Sequence, residues 1–178
     1  MNKPNLPVFV LSGIIILIAG LRFGMAPFPN IEPIMLFTIV SALTLGPISG
    51  FLVGFGSMAL SDLFVGMGPW TVYTSLTYGL VGILTGFLGI IRKRWGRLEL
   101  TVLVFVMTIL WDLITATFWA IQTMQPLTVV YALQVPFTLL HLSNCIFAFL
   151  FAPYLMKALS RASEFSITKF LKRVFAHT

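Results

Sequence analysis

Long apolar runs alternate along this chain with short breaks rich in glycine, proline and charge. The runs cover about Pro7 to Phe23, Pro33 to Leu45, Ile48 to Val65, Thr71 to Ile91, Leu98 to Ile121 and Val129 to Leu159. They lack the strict alternation of a half-buried strand, and their length favours helices. A run of about 20 residues crosses a hydrocarbon layer about 30 Å thick at about 1.5 Å per residue. Gly46-Pro47 separates the second and third runs, because proline removes a backbone donor and disfavours helix in the residue before it. The pattern predicts an all-α integral membrane protein. Residues 1–159 form a bundle of six transmembrane helices, and residues 160–178 form a basic amphipathic tail.

Composition points the same way. The 178 residues are 58% hydrophobic and 9% charged, whereas soluble domains carry about 25% charged residues. Six spans use about 120 residues, which leaves short loops and no soluble catalytic domain. The first run carries one Lys and two prolines at its start and has no clear small-residue cleavage site, so it reads as a first helix and not a secretory signal. The lone Cys145 cannot form an internal disulfide and reads as a buried packing residue.

Charge then sets orientation. Lys3, Arg92, Lys93, Arg94, Arg97, Lys157, Arg161, Lys169, Lys172 and Arg173 all fall at the termini or between the fourth and fifth runs. Arg22 alone falls on the other side. The positive-inside bias predicts cytoplasmic termini and an even number of spans. The loops near Pro27, Gly66 to Trp70 and Gln122 to Gln134 then face outside. The net charge of +6 belongs to membrane flanks, so lipid is an expected partner and nucleic acid is not. In the tail, Phe165, Phe170, Leu171 and Phe175 interleave with Lys169, Lys172 and Arg173, the pattern of a helix lying on the inner face.

Glycines recur at four-residue spacing: Gly20 and Gly24, then Gly46, Gly50 and Gly54, then Gly82 and Gly86. Such faces let helix backbones approach closely, within the bundle or against another subunit.

Enzyme chemistry is not expected. There is no phosphate loop, paired-cysteine site or zinc helix. The five acids are dispersed, whereas a metal-dependent phosphotransferase groups its carboxylates. His141 and Ser143 point to different helix faces. What remains is a set of polar and aromatic residues in apolar surroundings. Arg22 and Glu32 bracket the first external loop. Asp62 ends the third helix, and Trp70 follows it in the break GMGPWT. Asp112 sits beside Trp111 in the fifth helix. Gln134, His141 and Asn144 lie on the sixth, with Gln134 and His141 on one stripe and His141 and Asn144 on one face. Ionisable residues at membrane depth mark the handling of polar ligands. Arg22, Glu32, Asp62, Trp70, Asp112, His141 and Asn144 are therefore the candidate substrate-binding set. Each also has a packing role open to it. Asp62 can pair with Arg22 or cap a turn, and Asp112 and His141 can be hydrogen-bonded core groups. Arg22 can snorkel to headgroups, and the aromatic residues can form an interfacial belt.

The order of features in PNIEPIMLFTIVSALTLGPISGFLVGFGSMALSDLFVGMGPWT resembles the substrate-binding S component of energy-coupling factor (ECF) vitamin transporters. An external loop (Phe28 to Pro33) leads to a helix, a tight turn at Gly46-Pro47 and a glycine-rich helix. That helix ends in Asp62 and a gating loop from Gly66 to Thr71. The resemblance implies a subunit of a prokaryotic plasma membrane that captures a vitamin or precursor from outside. It implies association with a transmembrane scaffold subunit and two cytoplasmic ATPase subunits, then toppling to release the ligand inside. It also implies no cofactor in this chain, since partners hydrolyse the ATP. The family's Ala-x-x-x-Ala face on its first helix is replaced here by Gly13, Ala19, Gly20 and Gly24. The alternative is a six-helix scaffold subunit of the rod-shape-complex type, without a ligand pocket.

Overall fold

Each break in the apolar pattern falls between helices in the computed structural model, which describes residues 8–28, 31 and 33–164. The helices are α1 (Val8–Gly24), α2 (Ile34–Leu45), α3 (Pro47–Val65), α4 (Pro69–Ile91), α5 (Arg97–Thr123), α6 (Leu127–His141) and α7 (Ser143–Glu164). No strand occurs among the described residues. Glu32 and the part of the expected basic tail beyond residue 164 lie outside them. Among the described residues, four apolar stretches are long enough to cross a membrane: α3, α4, α5 and the combined run Leu127–Ser163. Two shorter apolar helices, α1 and α2, accompany them.

The sixth apolar run is one stretch in sequence but two helices in space. It is interrupted at Leu142, where the Cys145 N–H bonds back to the Leu142 carbonyl at 2.9 Å. Six residues earlier, Pro136 lies inside α6 and leaves the Ala132 carbonyl without its helical donor. The two pieces also face different neighbours. α6 packs on α5 and touches α7 only at the junction, while α7 packs on α2 and α5.

α2 is the axis of the core. Its 12 residues span only about 18 Å at 1.5 Å per residue, too short to cross the hydrocarbon layer unaided. Ten of them, including Ile34, Met35, Ile39, Val40 and Ala42, are buried, as expected of a helix apolar on all sides. It is surrounded by α1, α3, α4, α5 and α7. The link to α3 is a single residue, Gly46, with φ of 108°. That conformation crowds a Cβ against the backbone, so glycine fits it best.

The glycine faces divide into two kinds. A Cβ on Gly50 would lie 2.8 Å from the Gly82 carbonyl oxygen, and one on Gly54 would lie 2.6 Å from that of Tyr78. A Cβ on Gly82 would strike the Gly50 backbone, and one on Gly86 would strike Pro47. These glycines therefore let α3 and α4 pack backbone against backbone inside the bundle. Gly13, Gly20 and Gly24 on α1 face open space. Large apolar side chains such as Ile48, Phe64, Val72, Ile91 and Leu133 cover the outside, where lipid replaces water as the neighbour. Cys145 is half-buried.

Candidate substrate site

Because α6 rests on α5 alone along its length, a space opens between α4, α5 and α6. It forms a cavity of about 210 Å³, walled by Tyr73, Trp111, Trp119 and Phe137, with Gln134 and His141 as its polar side. Helical periodicity places these groups. Trp111, Thr115 and Trp119 follow one another at four-residue spacing on α5, and Val130, Gln134, Phe137 and His141 at four, three and four on α6. Residues so spaced share one face. Trp111 is held on two sides. Its Nε1–H donates to the Thr74 carbonyl at 3.4 Å, and its ring lies 5.0 Å from Tyr78 and 5.3 Å, edge-on, from His141.

Asp112 sits behind the polar side of this cavity, 2% exposed. Its Oδ1 accepts from Gln134 Nε2 at 3.0 Å and lies 2.8 Å from His141 Nδ1. Its Oδ2 is buried with no partner in the protein. A carboxylate only accepts hydrogen bonds, so His141 carries its proton on Nδ1 and leaves Nε2 as the ring's other polar atom. Gln134, with one N–H given to Asp112, keeps its carbonyl oxygen and its other N–H. Asn144, in the first turn of α7, is 1% exposed, and its Oδ1 also lacks a partner.

A second cluster ties together α1, α3 and α4. Arg22 Nη1 donates to Asp62 Oδ1 at 2.6 Å and to Ser61 Oγ at 2.8 Å. Thr71 Oγ1 donates to Asp62 Oδ2 at 2.7 Å and accepts from the Gly68 N–H at 3.2 Å. Asp62 is 1% exposed, so both its carboxylate oxygens are fully engaged. Trp70 is partly exposed, with its ring laid against Gly68. Among the described residues, no group of His, Cys, Asp and Glu is arranged to hold a metal ion.

The structure thus brings Asp112 and His141 together with Gln134, and Arg22 together with Asp62, in two separate clusters. Thr71, which bonds Asp62, and Thr74, which accepts from Trp111 in the cavity wall, lie three residues apart on α4. Asn144 is on α7, three residues beyond His141 at the end of α6, and both are buried. Sequence reasoning passed over Thr74, Thr115, Val130 and Phe137. The regular spacings on α5 and α6 were the available signal.

The family described as the ECF-type riboflavin transporter, S component, matches residues 7–161. The chain belongs to that family. Its members are transport subunits of the bacterial membrane, and this chain is a multi-pass membrane protein of that kind. It is also similar to UPF0397 proteins. One from Aliivibrio salmonicida is 40% identical over 80 residues, 43% of this chain and 43% of that protein. One from Clostridium perfringens is 37% identical over 93 residues, 48% and 49% of the two chains. One from Lactococcus lactis is 30% identical over 93 residues, 49% and 50%. The matched segment thus spans about half the length of these curated relatives. No solved structure matches the chain. Small-molecule sites are commonly concave and mostly apolar, with a few placed polar groups.

Proposed function

We propose that this chain is the substrate-capture subunit of an ECF-type importer, binding a vitamin or related micronutrient from the external side. The observation that carries this reading is the cavity between α4, α5 and α6, with Gln134 and His141 anchored on buried Asp112. A few polar groups in a mostly aromatic hollow fix a ligand's orientation, and apolar contact supplies its affinity. Asp112, His141 and Asn144 form the inner end of the site. Arg22 and Asp62, with Trp70 beside them, set the α3–α4 connection that leads into the cavity wall.

In this reading both termini are cytoplasmic, because Arg92, Lys93, Arg94, Arg97, Lys157 and Arg161 gather at one end of the bundle. The open glycine face of α1, with Gly13, Gly20 and Gly24, is the surface offered to a transmembrane scaffold subunit. Two cytoplasmic ATPase subunits supply the energy, and this chain needs no cofactor. The test is to purify the full chain in detergent, identify co-purified small molecules by native mass spectrometry, and titrate them back against the emptied protein. One saturably bound small molecule that raises the melting temperature supports the proposal. No bound molecule, with co-purification of cell-wall synthesis proteins, would replace it with the scaffold reading.

A further inference from the structure

The polar groups offered to the cavity are the Gln134 amide, the His141 imidazole, the Tyr73 hydroxyl and the Trp119 indole N–H, and the Asp112 carboxylate stands behind the first two. Asp112 takes the Nδ1–H of His141 and an N–H of Gln134. The imidazole Nε2, the Gln134 carbonyl and the second Gln134 N–H remain for a ligand. The threonine hydroxyls nearby are already used. Thr74 and Thr115 donate theirs to the backbone carbonyls of Trp70 and Trp111, both at 2.8 Å. Asp112 forms no ion pair with Lys or Arg among the described residues; its one titratable partner is His141. Arg22 is committed to Asp62, and Arg92 to Glu99 at the far end of α5. The walls add Tyr73, Trp111, Trp119 and Phe137, whose ring faces attract positive charge. At about 210 Å³, the hollow is smaller than the roughly 300 Å³ at the low end for drug-sized ligands.

From these features we infer that the captured nutrient is a compact heteroaromatic cation bearing N–H donors. This inference rests on the substrate-capture reading above and deepens it. The donors meet Gln134 and His141, the rings stack in the aromatic walls, and the positive charge balances Asp112. Asp112 acts as a positioning residue, since it sets what the other two present. A neutral ring of larger size gains nothing from the buried carboxylate.

The experiment uses the full chain in detergent, emptied of ligand, with three probes: thiamine, oxythiamine and riboflavin. Thiamine is a compact heteroaromatic cation with an exocyclic amine. Oxythiamine keeps the positive charge but replaces that amine by a carbonyl, and riboflavin is a neutral three-ring compound. Binding is read by calorimetry, and native mass spectrometry gives the identity and charge of any co-purified molecule. The inference expects thiamine, or a co-purified cation of its class, to bind at least about tenfold tighter than riboflavin, with oxythiamine weaker than thiamine. Asp112→Asn should lower cation affinity by about tenfold or more, the size of one lost charge-assisted contact. Asp112→Glu should recover part of it. Size-exclusion and circular dichroism controls exclude a folding defect, and a merely structural role for Asp112 would not change the cation-to-neutral ratio. Tighter binding of riboflavin, or a co-purified neutral or anionic nutrient, overturns the inference and leaves the capture function standing. The absence of any bound molecule and of any probe binding overturns both.

Discussion

Arg22 Nη1 lies 2.6 Å from Asp62 Oδ1, although 40 residues separate the two along the chain. Asp62 is buried, and Arg22 retains 17% of its side-chain exposure, so the two partners are not equivalent. Arg22→Met leaves a carboxylate in the bundle with Thr71 as its remaining side-chain donor, and loss of one partner of a buried pair costs about 3 kcal/mol. Asp62→Asn should cost less, because Arg22 can reach the surface. The double variant should recover part of the Arg22→Met loss. Melting curves of the four proteins in one detergent check this; an unchanged Arg22→Met curve means that the pair does not hold the helices together.

The two kinds of glycine face should behave oppositely. A Cβ at Gly82 meets the backbone of Gly50, which cannot move aside as a flexible side chain does. Gly82→Ala should therefore separate α3 from α4 and destabilise the protein by about 1–3 kcal/mol, the usual cost of overpacking. Gly20→Ala on α1 meets open space and should leave the melting temperature of the isolated chain unchanged or slightly higher, since alanine favours helix. Equal losses in the two variants would contradict this division.

Most of the fold was legible in the sequence because lipid burial demands long apolar runs, and Gly46, Pro47, Gly68 and Pro69 mark the breaks between them. The second helix was expected from Pro33 and begins at Ile34; the fifth was expected over Leu98 to Ile121 and covers Arg97–Thr123. The interruption at Leu142 was not legible, since neither glycine nor proline stands there, and Pro136 six residues earlier was the only local hint. The pairing of Arg22 with Asp62 was one of several roles open to those residues. The contact between Asp112 and His141 bridges 29 residues and depends on how α6 leans on α5. Apolar periodicity identifies a helix's buried face but not which neighbour covers it.

Ligand binding should be visible through Trp111 and Trp119. Both indoles line the cavity, so an aromatic ligand stacked there should quench intrinsic fluorescence in a saturable way. Trp119→Phe should remove part of the signal and weaken binding modestly, because a phenyl ring keeps most of the apolar contact. Trp111→Phe should be more costly, since it also leaves the Thr74 carbonyl without its indole donor. A Trp70→Phe control should retain the full quench, because that ring packs against Gly68. Quenching that survives loss of both cavity indoles would place the ligand elsewhere.

Stability and binding should separate at the buried polar groups that lack partners. Thr108 is 1% exposed, and its Oγ1 has no hydrogen bond in the protein. It lies one turn before Asp112 on α5. Burying a hydroxyl without a partner costs about 1–3 kcal/mol, so Thr108→Val, which keeps the shape, should raise stability by about 1 kcal/mol. Thr115→Val should gain nothing comparable, because the Thr115 hydroxyl already donates to the Trp111 carbonyl at 2.8 Å. Asn144→Leu removes another orphaned acceptor and should likewise stabilise the emptied protein. Its effect on ligand affinity should have the opposite sign, since Asn144 closes the inner end of the proposed site. Chemical denaturation of the three variants, with and without the co-purified ligand, measures both quantities. If Asn144→Leu raises stability and leaves affinity intact, Asn144 belongs to the core and not to the site.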